Sequence, residues 1–257
     1  MNSELHEAAA HGFSSAAASY EEGRPTYPSA AGAMLARELH LGPRSAVLDL
    51  AAGTGKLTAL LVGTGARVVA VEPVAEMRAI LEGALPGVRA LPGTAEAIPL
   101  EAGSVDAVTV GQAFHWFRGD EALEEIHRVL RLGGGLALLW NDRDTTVGWV
   151  RRLTELMEPH RGDAPGYRSG AWRAAFERTT LFGPLAYAEY RHVHRMSPEV
   201  VLARVASVSF VALLPEPERE RLLGEVRELL ATDPETRGRS EVELPYRTDV
   251  YRTRRGV

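Results

Sequence analysis

One stretch, Ala46–Thr58, constrains the fold of this chain more than any other. It reads AVLDLAAGTGKLT. The apolar residues of Ala46–Leu50 are typical of a buried parallel strand, and the small residues of Ala51–Gly55 are typical of a tight turn. Leucines at helical spacing follow in Leu57–Leu61. The sequence therefore predicts a strand, a glycine turn and a helix, which is where a parallel α/β fold binds nucleotide-like ligands.

The alternation of strands and helices continues as far as Asp142. Short apolar runs predict further strands at 67–71, 88–91, 105–110 and 136–140. Helical periodicity predicts helices at 55–62, 75–85 and 122–132, the last ending at Gly133–Gly135. Five strand-plus-helix units of this kind predict a doubly wound parallel sheet.

After Asp142 the alternation weakens. Helices are predicted at 147–158, 171–177, 198–213 and 216–230, and strands at 185–194 and 243–254. We expect the two strands to join the edge of the sheet and the helices to form a cap. The predicted fold is therefore α/β, a Rossmann-like, doubly wound, mostly parallel seven-stranded sheet with a helical cap. The predicted domains are a lid at 1–28, a core at 29–142, and the cap with the two closing strands at 143–257.

Composition excludes several classes of function. The net charge of −5 and the isoelectric point near 5.9 argue against a nucleic-acid surface, which needs a basic face. The chain has no cysteine, so thiolate chemistry is excluded. Neither a membrane-spanning run nor a signal peptide is recognisable, so a cytoplasmic location is expected. We expect a small-molecule partner, no nucleic acid, no membrane and no metal, and a monomer or homodimer.

Two ligands compete for the glycine turn. A nicotinamide dinucleotide turn has three glycines in the pattern GxGxxG. Gly53 and Gly55 are present here, but Thr58 occupies the third position. Asp49, inside the strand, is not part of that pattern either, and its carboxylate suits a ligand with a cationic amine. S-adenosylmethionine has such an amine, a sulfonium and no phosphate, and it fits the sequence better.

Glu72 ends the second predicted strand. A carboxylate at this place can accept hydrogen bonds from both hydroxyls of a ribose. The alternative is an acid stabilised by the dipole of the helix that follows. Because the glycine turn already indicates a nucleotide-like ligand, we favour the ribose role.

Four segments occur in a specific order along the chain. They are DLAAGTG at 49–55, VEP at 71–73, GTAEAIPL at 93–100 and VLRLGG at 129–134. This ordered set resembles the class I S-adenosylmethionine-dependent methyltransferases and is most similar to the small-molecule branch called type 11. The resemblance covers about Ala46 to Trp140, and it implies methyl transfer from S-adenosylmethionine.

The resemblance also implies roles for individual residues. In that family the acid of the first strand and the glycine turn hold the methionine part of the cofactor, the acid after the second strand binds ribose, and the next residues line adenine. The corresponding residues here are Asp49, Ala51, Gly53 and Gly55, then Glu72, then Pro73 and Met77. An aspartate usually contacts the adenine amine after the third strand. Thr94 stands there instead, followed by Ala95, so a hydroxyl or a backbone amide would replace the aspartate.

The segment Gln112–Phe117, QAFHWF, follows the fourth strand and resembles the trans-aconitate methyltransferase-like group of the same family. The reactive end of a ligand should lie there. We assign Gln112 and Ala113 to the cofactor. His115 is a candidate general base, because the unperturbed pKa of histidine lies near neutrality. The alternative is a histidine that positions the loop, and Trp116 is a candidate wall of the substrate pocket.

The opening segment at 13–28, FSSAAASYEEGRPTYP, resembles the N-terminal lid of the same group. That resemblance implies that Tyr20 and Arg24 bind the methionyl carboxylate of the cofactor. Asn141 and Asp142, after the fifth strand, are candidate substrate ligands, although Asp142 equally suits a helix cap.

We expect an S-adenosylmethionine-dependent methyltransferase that acts on a small molecule at a carboxylate, a hydroxyl or an amine. The product of the cofactor would be S-adenosylhomocysteine. A nicotinamide-dependent oxidoreductase and a non-catalytic S-adenosylmethionine-binding protein are the alternatives.

Overall fold

The structure, a computed structural model, describes residues 24–256. The helices are α1 (Ser29–Glu38), α2 (Lys56–Val62), α3 (Ala75–Ala84), α4 (Gly119–Val129), α5 (Gly148–Met157), α6 (Arg173–Arg178), α7 (Pro198–Ala206), α8 (Ser209–Ala212) and α9 (Glu216–Thr232). The strands are β1 (Ala46–Leu50), β2 (Arg67–Val71), β3 (Arg89–Leu91), β4 (Val105–Gly111), β5 (Leu130–Arg143), β6 (Ala186–Met196) and β7 (Val242–Arg254). Short 3-10 helices lie at Phe114–Trp116, Glu158–His160 and Tyr167–Ser169.

The seven strands form one sheet in the order β3-β2-β1-β4-β5-β7-β6. The pairs from β3 to β5 are parallel, with Leu48 of β1 opposite Val69 of β2 and Val108 of β4. β7 runs antiparallel to β5, because Gly134 bonds Arg255 near one end and Asn141 bonds Thr248 further along. The predicted seven-stranded, mostly parallel sheet is confirmed, and its two late strands lie at one edge.

The two faces of the sheet explain the continuous apolar runs of the early strands. Leu48 and Leu50 pack into a core cluster on one face, and Val47 packs into a second cluster on the other. Side chains of a strand alternate between faces, so Asp49 lies on the same face as Val47. A strand covered on both sides is apolar at nearly every position, and this makes the single acid of β1 conspicuous.

The predicted end of the helix at 122–132 is wrong. The apolar periodicity predicts a helix as far as Leu132, but α4 ends at Val129 and β5 begins at Leu130. Leu130 is buried and pairs with Val105, whereas the next pair along β4 joins Ala107 to Gly135. The glycines therefore form a bulge within the strand rather than a helix stop, and Gly133 adopts a positive φ of 73°.

The long helix predicted at 198–213 is two helices. α7 ends at Ala206 and the four-residue α8 begins at Ser209. The hydroxyl of Ser207 donates to the carbonyl of Arg204. Local hydrogen bonds of this kind compete with a continuing helix.

The described chain divides into two compact units. The larger unit contains Thr26–Asn141, Pro165–Tyr190 and the chain from Thr248. The smaller unit contains Arg24, Pro25, Asp142–Ala164 and Arg191–Arg247, and it has a hydrophobic cluster of its own around Trp149, Val201 and Tyr246. The domain boundaries at 28 and 142 stay predictions. Across residues 24–256, every helix is too short or too polar to cross a bilayer.

Candidate active site

The turn after β1 is built from unusual backbone conformations. Ala51, Gly53 and Gly55 all have positive φ, at 55°, 57° and 92°. Glycine adopts this region at no steric cost, whereas alanine is strained there by about 1–2 kcal/mol. The N–H of Ala52 donates to the carbonyl of Val71 at 3.1 Å and secures the turn to β2. Backbone strain of this kind is concentrated at functional sites.

Glu72 ties the glycine turn to the end of β2. Its carboxylate accepts the N–H of Gly53 at 2.9 Å and the N–H of Val74 at 3.0 Å. The side chain is only 5% exposed, and burial raises the pKa of Glu72, against the opposing effect of the two backbone donors and of Arg78. Each carboxylate oxygen accepts one of these bonds and retains further acceptor capacity. Glu72 is therefore held in place with room to accept hydroxyl donors.

Asp49 lies beneath the turn and is completely buried. Its two oxygens accept hydrogen bonds from the hydroxyl of Thr58 on α2 at 2.6 Å and from that of Thr109 on β4 at 3.1 Å. Burial raises the pKa of Asp49 to about 7, although both hydroxyls act in the opposite direction. The carboxyl thus joins β1, α2 and β4. Its predicted contact with a ligand stays a prediction.

Thr58 belongs to the site as the hydrogen-bond donor to Asp49, a role that the glycine pattern does not predict. It occupies the third glycine position of the dinucleotide pattern, and it is fully buried. A threonine one turn into the helix, nine residues after a buried acid, supplies the donor which that acid needs. The pairing of Asp49 with Thr58 was therefore a signal available in the sequence.

The predicted adenine side is placed around the same turn. The sulfur of Met77 lies 3.9 Å from the point that a Cβ on Gly53 would occupy, so Met77 packs under the turn. Pro73 is exposed, as is Thr94, while Ala95 is buried in the core cluster of its face. The structure thus brings Gly53, Glu72 and Met77 together.

A second group of predicted residues follows β4. Gln112 has a positive φ of 59°, its N–H donates to the carbonyl of Leu139 at 2.8 Å, and its amide donates to the carbonyl of Asn141 at 3.1 Å. Asn141 in turn donates to the carbonyl of Thr26 at 3.2 Å. Ala113 is partly buried against the core. The carboxyl ends of parallel strands share one edge of a sheet, so this group and the glycine turn lie along the same edge.

His115 accepts a hydrogen bond from a buried tryptophan. The indole N–H of Trp140 donates to Nδ1 of His115 at 3.1 Å. An indole is a donor only, so Nδ1 is unprotonated and the neutral ring bears its proton on Nε2. A ring in this tautomer presents a donor at Nε2 and cannot take up a proton there. The geometry favours a positioning role over a general base.

Three of the remaining predicted residues, Trp116, Arg24 and Asp142, are placed by their contacts. The ring of Trp116 is 5.3 Å from that of His115. Arg24 and Asp142 belong to the smaller unit, where Arg24 donates to the carbonyl of Ser207 at 3.4 Å and Asp142 lies 3.9 Å from Arg247. Tyr20 lies outside the described residues.

Between residues 24 and 256, no group of three or more histidines, aspartates or glutamates could hold a metal ion.

Comparison with known proteins assigns this arrangement to a family. Residues 48–138 match the family described as methyltransferase domain. An uncharacterized methyltransferase of Mycobacterium bovis is 44% identical over 239 residues, which is 92% of each chain, and an uncharacterized methyltransferase-like protein of Schizosaccharomyces pombe is 35% identical over 93% of each. The solved structure of a putative type II methyltransferase from Anaeromyxobacter dehalogenans is 25% identical and superposes with a TM-score of 0.66, over 90% of this chain and 97% of that one.

Proposed function

The chain belongs to the class I S-adenosylmethionine-dependent methyltransferases, and we propose that it binds S-adenosylmethionine at the glycine turn and transfers the methyl group to a small molecule. When bound, the cofactor supplies a methyl group on a sulfonium, and the acceptor forms a bond to that carbon as the bond to sulfur breaks. The observation that supports the site best is the pairing of Glu72 with the N–H of Gly53.

The residues of the turn suit this cofactor. Gly53 has no Cβ and only Met77 beneath it, so a ligand can approach the backbone closely. Glu72 retains acceptor capacity for ribose hydroxyls, because within residues 24–256 each of its oxygens accepts one hydrogen bond. We assign the cofactor to Ala51, Gly53, Gly55, Glu72, Pro73, Met77, Thr94, Ala95, Gln112 and Ala113.

We assign His115 to orientation of the acceptor. The hydrogen bond from Trp140 to Nδ1 fixes the orientation of the imidazole ring beside the predicted acceptor site. Most of the rate would then come from alignment of donor and acceptor rather than from removal of a proton. The net charge of −5 supports a small-molecule acceptor rather than nucleic acid.

Titration calorimetry with S-adenosylmethionine tests the cofactor site. Glu72→Gln should weaken binding by about 1–3 kcal/mol, because a neutral amide offers a weaker acceptor to hydroxyls and places an NH2 against a backbone donor. Glu76→Gln is the matched control, since Glu76 is exposed on α3, the helix that begins three residues after Glu72, and should leave affinity unchanged.

Two outcomes would overturn the assignment. Equal affinity of Glu72→Gln and the wild type would reduce Glu72 to a structural cap. Tight binding of NADH, with no binding of S-adenosylmethionine, would instead support a nicotinamide-dependent oxidoreductase. Release of S-adenosylhomocysteine with an added acceptor distinguishes a working enzyme from a non-catalytic binding protein.

A further inference from the structure

A cavity of about 300 Å³ lies at the amino ends of the parallel strands. We call it the basic cavity, because its walls include His40 after α1, Arg44 before β1, Arg131 at the start of β5 and Arg254 at the end of β7. β7 is antiparallel to β5, so the last residues of β7 lie beside the first residues of β5. The cavity lies within the larger unit, and its volume is at the lower limit for small-molecule sites.

The basic cavity is separate from the glycine turn. Arg44 precedes β1 and the turn follows it, so the strand keeps the two about 20 Å apart at a rise of about 3.3 Å per residue. A small molecule bound in the cavity is therefore out of reach of the turn.

The positive charge around the cavity exceeds the negative charge. Asp106 is the acid of the wall, and Arg131 donates to its two carboxylate oxygens at 2.7 and 2.8 Å. Burial acts to raise the pKa of Asp106, but the N–H of Ala46 and the guanidinium of Arg131 hold that pKa below its ordinary value, so Asp106 is ionised and neutralises Arg131. Within residues 24–256, Arg44 and Arg254 form no ion pair with an acid. Two guanidinium charges of the wall are therefore unmatched.

Glu38, next to the cavity, does not supply the missing negative charge. Its carboxylate lies 2.9 Å from a guanidinium nitrogen of Arg37 and 3.3 Å from one of Arg252. Arg254 instead donates to the backbone carbonyl of Glu38 at 2.6 Å and to that of Gly133 at 2.9 Å. These two bonds fix the guanidinium of Arg254 and leave its charge available.

The wall also retains unused hydrogen-bond donors. A nitrogen of Arg254 lies 3.2 Å from Nε2 of His40, and a guanidinium can only donate. Nε2 of His40 therefore accepts, and the neutral ring bears its proton on Nδ1, where it can donate to a ligand. Of the five N–H groups of Arg254, three are used in these contacts and two remain. The side chain of Arg44 forms no hydrogen bond within the described chain, so all of its donors remain.

The rim of the cavity has an apolar part. Leu132 lines the cavity and is 76% exposed, which is unusual for a leucine. Gly133 beside it has open space where a Cβ would be. A short carbon chain can therefore lie against Leu132 while the group that it carries faces the arginines.

We propose that the basic cavity binds a small phosphate monoester. The phosphate lies between Arg44 and Arg254, and the carbon body lies against Leu132. A phosphate monoester is close to a dianion at neutral pH, so it balances the two unmatched guanidinium charges, and its oxygens match the guanidinium fork. This site goes beyond the proposed methyl transfer, since it needs neither the cofactor nor the acceptor.

Titration calorimetry with glycerol 3-phosphate on the full chain tests the proposal. Glycerol 3-phosphate should bind at one site, glycerol should not bind, and added salt should weaken binding. Inorganic phosphate should bind more weakly than the ester, because it has no carbon body for Leu132. Arg44→Gln should weaken glycerol 3-phosphate about 5-fold, and Arg44→Lys should lie between, since it keeps the charge but loses the fork.

Arg173→Gln is the matched control. Arg173 also forms no ion pair within residues 24–256, but its guanidinium carbon lies 4.5 Å from the ring centroid of Trp172 and 4.9 Å from that of Tyr251. It donates to the hydroxyl of Tyr251, which lies 3.1 Å from the hydroxyl of Tyr167. Trp172 is 4.7 Å from Trp140 near the carboxyl end of β5, so Arg173 belongs to the other end of the strands. Its replacement should leave the affinity for glycerol 3-phosphate unchanged.

Several outcomes would overturn the proposal. They are no saturable binding of glycerol 3-phosphate, equal affinity of Arg44→Gln and the wild type, or a loss in Arg173→Gln as large as that in Arg44→Gln. Inorganic phosphate that binds as tightly as the ester would overturn the choice of an ester. If Arg44→Gln does not fold, Arg44→Lys decides.

A competition experiment separates the basic cavity from the glycine turn. Saturation with S-adenosylhomocysteine should leave the affinity for glycerol 3-phosphate unchanged, and displacement of one by the other would overturn the separate site. Failure of S-adenosylhomocysteine to bind would overturn the methyltransferase site instead, and the Arg44 variants would still decide the basic cavity.

Discussion

Replacement of Thr58 by valine should destabilise the protein in a manner that depends on pH. Valine keeps the shape of threonine and removes the hydroxyl that donates to Asp49 at 2.6 Å. Both side chains are fully buried, so water cannot replace the lost donor. Asp49 would retain Thr109 at 3.1 Å as a hydroxyl partner.

The magnitude follows from the charge of Asp49. Above pH 7 the carboxylate is ionised, and a hydrogen bond to a charged group contributes about 1.5–3 kcal/mol. The extra methyl of valine, buried at the same place, offsets about 0.8 kcal/mol. The net loss is therefore about 1–2 kcal/mol at high pH. Below that range the carboxyl is protonated, the bond is neutral at about 0.5–1.5 kcal/mol, and the net loss is close to zero.

Asp49 contributes to the stability of the wild-type protein with a pH dependence of definite sign. Burial raises the pKa of Asp49 from 3.8 to about 7, so the folded state retains a proton that the unfolded state releases. The contribution of this group to stability is greatest below pH 3.8 and is lost as the pH rises towards about 7. Thr58→Val removes a donor that favours the anion. It should raise the pKa of Asp49 further and deepen the loss at high pH.

Urea unfolding at about pH 5 and about pH 9, without ligands, measures this effect as a difference in the free energy of unfolding. Thr154→Val is the matched control, because Thr154 is a buried helical threonine whose hydroxyl donates to the carbonyl of Val150 in its own helix. Its cost should be the same at both pH values. If Thr58→Val were equally costly at both, or if the cost persisted in Asp49→Asn, the pairing would not be the cause.

Two further predictions concern strain and tautomer. Ala51→Gly should stabilise the protein by about 0.5–1 kcal/mol, because relief of about 1–2 kcal/mol of backbone strain at a φ of 55° exceeds the cost of the greater entropy of glycine in the unfolded chain. Ala52→Gly, in the same turn but without a positive φ, should destabilise the protein. Equal losses of unfolding free energy for the two variants in urea would refute the strain at Ala51. Trp140→Phe should release Nδ1 of His115, so that nitrogen NMR detects the Nε2–H tautomer in the wild type and a mixture in the variant. A wild-type ring protonated on Nδ1 would contradict the hydrogen bond.

Much of the sheet could be predicted because its signals are local. β1 and β2 occupy 46–50 and 67–71 as expected, since each is a continuous apolar run bounded by polar or small residues. The end of α4 could not be predicted in this way. Leu130 continues the apolar periodicity of the helix, but pairing with Val105 on a distant strand places it in β5. A long-range contact there overrode a local pattern.

In the candidate site, too, some features follow from the local sequence and others require the tertiary structure. Gly53 and Glu72 were predicted from their places after two strands, and the structure joins them through one hydrogen bond. The hydrogen bond from Thr58 to Asp49 could not be predicted without the direction of α2, which places the hydroxyl of Thr58 over Asp49. The tautomer of His115 could not be predicted either, because it depends on the hydrogen bond from Trp140, whose side chain reaches His115 only because β5 lies beside β4.

The sequence by itself determined the positions of most core strands and the type of turn, because hydrophobic periodicity and glycine act over a few residues. It also determined the family. Only the tertiary structure assembled the environment of Arg173, since Trp172, Tyr251 and Asp249 come from separate parts of the chain. Their contacts depend on the pairing of β7 with its neighbours, and such pairings have no local signal. The surroundings of Arg173 therefore depend on the fold rather than on any motif.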